Sequence, residues 1–413
     1  MADVVTLILL GLSLVLFFGF FAEFIFKRFG LPDILLLIVI GFILGPNVLG
    51  YVTLDSLSTV APIFTTFTLL FLLFDGAFNI NLSSLIREFS ASFILTMFNF
   101  IISAAVITGV MVLSGSSFLT SLLTGFLLGG VSSAFVIPVL QQMKVKENLY
   151  SLLALESALT DVFCIVFSLT VIKVINAGQF GFIGIANQIV SLFAVAGLVG
   201  ILGGIFWMIL IHHVFKEHNY IMTVAYLILI YVLTEFLSGN GAIAALFFGL
   251  MLKNSKQLSS IIKGITTHAA NDKKKALQGE LGVSVTSPSE QDFYDKISFL
   301  LKTFFFVFIG ILIDLSDWKA LIIGVVISAI LMVTRVSSML LSSHFKPQER
   351  IIVNSMFARG LAAAAIAQLA IELAVPQADL IAKVTYVVIT MTIIFSSLRI
   401  FLAKRKIKMP YNV

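Results

Sequence analysis

The chain has 413 residues, 59% of them hydrophobic and only 11% charged, with a formal net charge of +5 and a mean hydropathy of +1.10. Soluble domains carry about 25% charged residues, so this composition excludes a soluble binding module and describes a polytopic membrane protein. The single cysteine, Cys164, excludes a disulfide framework within the chain and a Cys-based metal site.

A membrane helix needs about 20 apolar residues. By that rule about thirteen spans begin near residues 4, 33, 58, 89, 117, 149, 184, 218, 240, 294, 318, 349 and 377. The opening Met1 to Phe26 lacks a basic n-region and a small-residue cleavage site, so it reads as a retained first helix rather than a signal peptide. Span two reads LLLIVIGFILG from Leu35 to Gly45, and span nine reads ALFFGLML from Ala245 to Leu252. They run in opposite directions, which suits two inverted repeats over spans two to six and nine to thirteen. Span five carries Gly129-Gly130-Val131-Ser132-Ser133 and then Pro138; its counterpart, span twelve, carries Arg359-Gly360 and a run of alanines. Interrupted segments at matched places in two halves point to a transporter binding site. The fold expected is all-α, with about thirteen transmembrane helices in two inverted repeats and two broken helices.

Basic residues set the orientation. Lys27 and Arg28 follow span one, Arg87 span three, and Lys144 and Lys146 span five. Lys216 follows span seven, the Lys253 to Lys296 stretch span nine, and Lys346 and Arg350 span eleven. Lys404, Arg405, Lys406 and Lys408 follow span thirteen; Lys173 and Lys319 are exceptions to the pattern. The amino terminus is expected outside a cell membrane and the carboxyl terminus in the cytoplasm. The net positive charge is then a topology signal, not a sign of nucleic-acid binding. Residues 255–292 read as a cytoplasmic loop.

Span six holds two carboxylates, in Glu156-Ser157-Ala158-Leu159-Thr160-Asp161. A charge at that depth costs roughly 2.5–3.5 kcal/mol on insertion scales. Counting 1.5 Å per residue from the cytoplasmic ends puts Glu156 roughly 11 Å deep, Arg335 about 13, Ser133 about 14, Arg359 about 15 and Asp161 about 18. All five fall in one layer near the membrane centre. Residues four apart share a helix face, so Ser157 projects with Asp161, and Glu156 with Thr160. Pairing Glu156 with Arg335 cancels two buried charges and leaves Asp161 without a fixed counter-ion. Asp161 is then expected to hold either a proton or a cation near neutral pH, the chemistry of one-for-one exchange.

These residues resemble the monovalent cation/proton antiporter superfamily, in particular its electroneutral sodium/proton exchanger branch, over nearly the whole chain. Leu31-Pro32-Asp33 through Gly45-Pro46-Asn47-Val48-Leu49-Gly50 looks like that family's second-span signature. FLLFDGAFNI, Phe71 to Ile80, is similar to its third-span ending, with Asp75 where the family usually has Glu. Glu235 to Asn254 and Thr334-Arg335-Val336 resemble two further segments, and Arg359-Gly360 falls where the family has Gly-x-Arg-Gly. ESALTD matches the family's Glu-Ser-x-x-Asn-Asp motif. The resemblance implies that the broken helices cross and that Asp161 carries the ion and the proton, with Ser157 as a ligand. It makes Glu156 and Arg335 a structural pair and Arg359 a support of the second broken helix. It also implies an ion-translocating core from spans four to six and eleven to thirteen, about residues 89–176 and 318–404. The other spans would form a scaffold and dimer bundle within a single transport domain, and the protein a homodimer.

Two departures from the pattern bear on the ion. Thr160 stands in place of the motif's Asn, and Ser132-Ser133 replaces the usual Thr-Asp of span five. Asp161 with the oxygens of Ser132, Ser133, Ser157 and Thr160 still suits a hard monovalent cation, but potassium and lithium stand beside sodium. No resident cofactor is expected, only the transported ions.

Lys302 reads as snorkelling to the cytoplasmic interface. His212, His213 and His218 read as a solvated turn, and Asp75 and Glu235 as interfacial or structural. An enzyme is not expected. An intramembrane aspartyl protease would need Asp75 and Asp161 as its pair, and no Gly-x-Gly-Asp occurs.

Overall fold

The computed structural model describes residues 4–29, 32–50, 61–77, 82–177, 182–211, 220–257, 288–338 and 346–407. The described residues form fifteen α-helices and one 3-10 turn. These are α1 (Val4–Phe29), α2 (Asp33–Leu44), α3 (Ala61–Ala77), α4 (Leu82–Leu113), α5 (Phe118–Leu127), α6 (Ser133–Gln142), α7 (Glu147–Ala177) and α8 (Phe182–Leu210). They continue as α9 (Tyr220–Phe236), α10 (Gly241–Lys253), α11 (Pro288–Leu312), α12 (Trp318–Thr334), α13 (Pro347–Ser355), α14 (Leu361–Glu372) and α15 (Ala378–Ile407). Span five is the pair α5 and α6, and span twelve the pair α13 and α14, so the fifteen helices make thirteen crossings. Among the described residues five segments, including Glu147–Asn176 of α7 and Ala378–Ala403 of α15, are long and apolar enough to cross a bilayer by themselves.

Local sequence places the helix ends. Ser117 accepts the Thr120 N–H at 3.3 Å to start α5, and Asp317 accepts the Ala320 N–H at 3.1 Å to start α12. Pro347 opens α13, where a missing N–H costs nothing, and Glu349 accepts the Lys346 N–H at 3.0 Å. The loop expected over 255–292 is shorter at its far end, because α11 already starts at Pro288 with Glu290 in its first turn. Residues 258–287, like His212, His213 and His218, lie outside the described residues.

The chain divides into two compact units. One is Met1–Thr65, Ala91–Gln179 and Leu300–Val413; the other is Thr66–Ser90 and Phe180–Phe299. In the first, α12, α13 and α14 pack on α15, and α5, α6 and α14 pack on α7. Lys302, expected to reach for the cytoplasmic interface, has its Nζ 2.7 Å from Asp33 Oδ2, with both side chains largely buried. The carboxylate at the start of α2 gives the ammonium a charged partner within the protein.

In the second unit, Glu235 accepts the Gly241 N–H at 2.8 Å and Asn240 the Ile243 N–H at 3.0 Å, so two side chains cap the start of α10. Trp207 stacks on Tyr226 with ring centroids 4.4 Å apart. Tyr294 and Thr223 both donate to Glu290 Oε1, at 2.5 and 3.4 Å.

Candidate functional site

The two helix interruptions cross within the first unit. Where they meet, Ser132 donates its backbone N–H to the Ala358 carbonyl at 2.8 Å. A Cβ on Gly360 would collide with the Ser132 side chain, and one on Gly130 would come within 2.6 Å of Cys164 Sγ on α7. Glycine at these two positions lets the breaks touch each other and α7.

Breaking a helix in lipid frees backbone groups that water cannot satisfy. Here side chains supply the partners. Arg359 Nη1, from the second break, donates to Gly129 O at 2.9 Å and to Gly130 O, just past the end of α5, while its Nη2 donates to Ser103 Oγ at 3.0 Å. A guanidinium at that point also meets the negative end of the helix dipole. Thr160 Oγ1 accepts the Val131 N–H at 3.0 Å and lies 3.0 Å from the Ser157 carbonyl. The hydroxyl that replaces the motif's amide thus ties the break to α7. A small cavity lined by Asn99, Ser103, Thr160, Thr334, Arg335 and Arg359 adjoins the crossing, with room for about one water molecule.

The two carboxylates of α7 have different surroundings. Glu156 is 1% exposed and forks with Arg335, Oε1 to Nη1 at 2.5 Å and Oε2 to Nη2 at 2.8 Å. Asn99 donates to the same carboxylate at 2.8 Å, and Arg335 Nε donates to Val353 O at 3.1 Å. Asp161, 8% exposed, accepts a hydrogen bond from Ser133 Oγ at 2.7 Å. Among the described residues no basic side chain forms an ion pair with it. Ser157, fully buried, donates to the Ala154 carbonyl at 2.9 Å. Among the described residues no three His, Cys, Asp or Glu side chains are placed to share a metal ion. A cation at Asp161 would therefore be held by one carboxylate and neutral oxygens, which suits a single positive charge.

All eight residues singled out from sequence lie around this crossing. Four further participants were not singled out there. Asn99 orients Glu156, and its signal was available: it is an amide inside the apolar run of α4. Ser103 and Thr392, which accepts the Arg359 N–H at 3.0 Å, carry no signal, because hydroxyls are common in membrane helices. Arg399 donates to the carbonyls of Met332 and Asn354, both at 3.2 Å. In sequence it merges with the basic run that ends the last span.

Comparison with known proteins agrees in fold and family. The sequence profile of the family described as "Sodium/hydrogen exchanger, transmembrane" matches residues 12–404. The chain is 28% identical over 331 residues to a sodium/proton antiporter of Methanocaldococcus jannaschii, covering 74% of this chain and 68% of the relative. It is 27% identical over 238 residues to a potassium/proton antiporter of Shewanella oneidensis, covering 55% of this chain and 40% of that longer protein. An electron-microscopy structure of a sodium/proton antiporter from M. jannaschii shares the fold, with a TM-score of 0.77 at 21% identity over 98% of this chain and 99% of that one.

Proposed function

Because the chain belongs to the sodium/hydrogen exchanger family, we propose that it is a secondary transporter, not an enzyme, that exchanges sodium for protons across a membrane at Asp161. The observation that carries this reading is the contrast along α7: Glu156 is neutralised by Arg335, whereas Asp161 is met, among the described residues, by the neutral hydroxyl and backbone N–H of Ser133 and by no basic side chain. A buried carboxylate without a counter-ion is costly. It lowers its energy by taking up either a proton or a metal cation, and the two compete for the same oxygens. One carboxylate gives one charge in each direction, so exchange is electroneutral.

The roles divide as follows. Asp161 carries the cargo, and Ser133, with Ser132 and Ser157 beside it, supplies neutral oxygens. Thr160 and Arg359 hold the breaks in place, and Glu156 with Arg335 fixes α7 against the end of α12 at no net charge. Residues about 89–176 and 318–404 form the ion-translocating core. The amino terminus lies outside the cell membrane and the carboxyl terminus in the cytoplasm, and the working protein is a homodimer.

Potassium is the second reading. Ser133 stands where a second acid would otherwise raise the field at the site, and the Shewanella relative is a potassium/proton antiporter. Purified protein in liposomes with a pH-sensitive dye tests both readings. An imposed sodium or lithium gradient is expected to move protons, and Asp161→Asn to abolish the signal. Full exchange by that variant rejects Asp161 as the carrier, and a larger potassium signal replaces sodium as the cargo. Clamping the membrane potential is expected to leave the exchange equilibrium where it was.

A further inference from the structure

Two helices end beside the second break, and each leaves carbonyls without intrahelical partners. α13 stops at Ser355 and α12 at Thr334. Arg335 Nε takes the Val353 carbonyl of α13. Arg399 Nη1, reaching across from α15, takes Asn354 of α13 and Met332 of α12, both at 3.2 Å. Its guanidinium also lies over the Phe357 ring, 5.8 Å from the centroid. Phe357 is buried in the break itself, two residues before Arg359. Seven residues earlier on the same face of α15, Thr392 accepts the Arg359 N–H at 3.0 Å. One helix therefore grips the break at two points, and Arg359, held at the second of them, takes the Gly129 and Gly130 carbonyls of the first break.

We propose that Arg399 is a positioning residue for cation exchange: it pins the second break to α12 and α15, and so holds Arg359 in the register that closes the first break beside Asp161. It touches no ion. This rests on the exchange reading above, whose failure the test separates. Losing the guanidinium releases two helix-end carbonyls at once, and the site then spends part of its time out of register. A cation that binds only the assembled site pulls the population back, so apparent affinity falls in proportion to the competent fraction while the saturated rate survives.

The experiment compares the full chain with Arg399→Met and Arg399→Lys in two measurements. In hydrogen exchange of the purified protein, amides 354–361 of Arg399→Met are expected to exchange at least about 10-fold faster, the scale of a lost charged hydrogen bond. In liposomes its apparent KM for sodium is expected to rise about 10-fold, with the saturated rate within about twofold of the parent. Arg399→Lys keeps the charge but not the fork or the stacking plane, and its KM is expected to rise about threefold by that loss. A lower saturated rate at unchanged KM means only that less protein is folded, and overturns the proposal. Parent-like amide exchange in Arg399→Met overturns it as well; if that variant does not fold, parent-like KM and amide exchange in Arg399→Lys do the same. If the parent moves no protons with any cation, the exchange reading fails, and the amide measurement still decides whether Arg399 positions the break.

Discussion

Glu156 and Asp161 stand five positions apart on one helix, yet the structure treats the two carboxylates in opposite ways. Around Glu156 every charge is matched: a forked arginine, an amide and a carbonyl on the far side of the guanidinium. Around Asp161, among the described residues, there is the Ser133 hydroxyl at 2.7 Å and the backbone N–H of the same residue, both neutral. The first arrangement is a fixed joint, because removing either partner strands a charge in a medium that cannot solvate it. The second has capacity left over, since an ionised carboxylate can accept about four hydrogen bonds or ion contacts. A neutralised joint and an unfilled acid within two turns leave one helix anchored at one point and with room for a further partner at another.

Substitutions sharpen or break that contrast. The largest effect is expected from Asp161→Asn, which removes the charge but keeps the shape. Cation-dependent proton flux in liposomes should disappear, while the thermal unfolding midpoint stays close to the parent's. A midpoint collapse would instead make Asp161 a second structural joint. Arg335→Met should cost about 3–5 kcal/mol, the cost of an uncompensated buried charge. Adding Glu156→Gln to it should recover most of that loss, as read in a double-mutant cycle of thermal unfolding. Independent, additive losses would show that the pair is not a unit.

Smaller effects are expected nearer the break and the surface. Thr160→Val keeps the shape of the side chain but leaves the Val131 N–H without its acceptor, at a cost of about 1–3 kcal/mol in stability; parent-like unfolding would mean the break does not lean on α7. The smallest effect is expected at Lys146, whose bond to Glu349 at 2.8 Å is exposed on the lysine side. Lys146→Met should shift stability by less than about 1 kcal/mol and leave exchange kinetics unchanged. A large loss there would place long-range electrostatics above the buried joint.

The membrane class, the number of crossings and the two interrupted spans were legible because each follows from local composition. An apolar run of bilayer length has to be helical, and Gly129-Gly130 and Arg359-Gly360 mark breaks because they fall at matched places in the two halves; Gly203-Gly204, which has no such counterpart, sits inside the unbroken α8. Depth arithmetic placed Glu156, Asp161, Ser133, Arg335 and Arg359 in one layer, since helical rise is the same in every span. Which of them touch was a different matter. Nothing in the sequence joins Lys302 to Asp33, far away along the chain, yet the two form an ion pair.

Sequence by itself determined a bundle of membrane helices with an unmatched acid at its centre, because a buried charge without a local partner is visible from composition alone. Tertiary structure decided how the breaks are held: that Thr160 serves the backbone of Val131, that Arg359 caps the end of α5, and that Arg399 reaches from the last helix to two others. The reason is that an orphaned carbonyl has no sequence signature. Any donor in the fold can satisfy it, and only packing brings one within 3 Å or so.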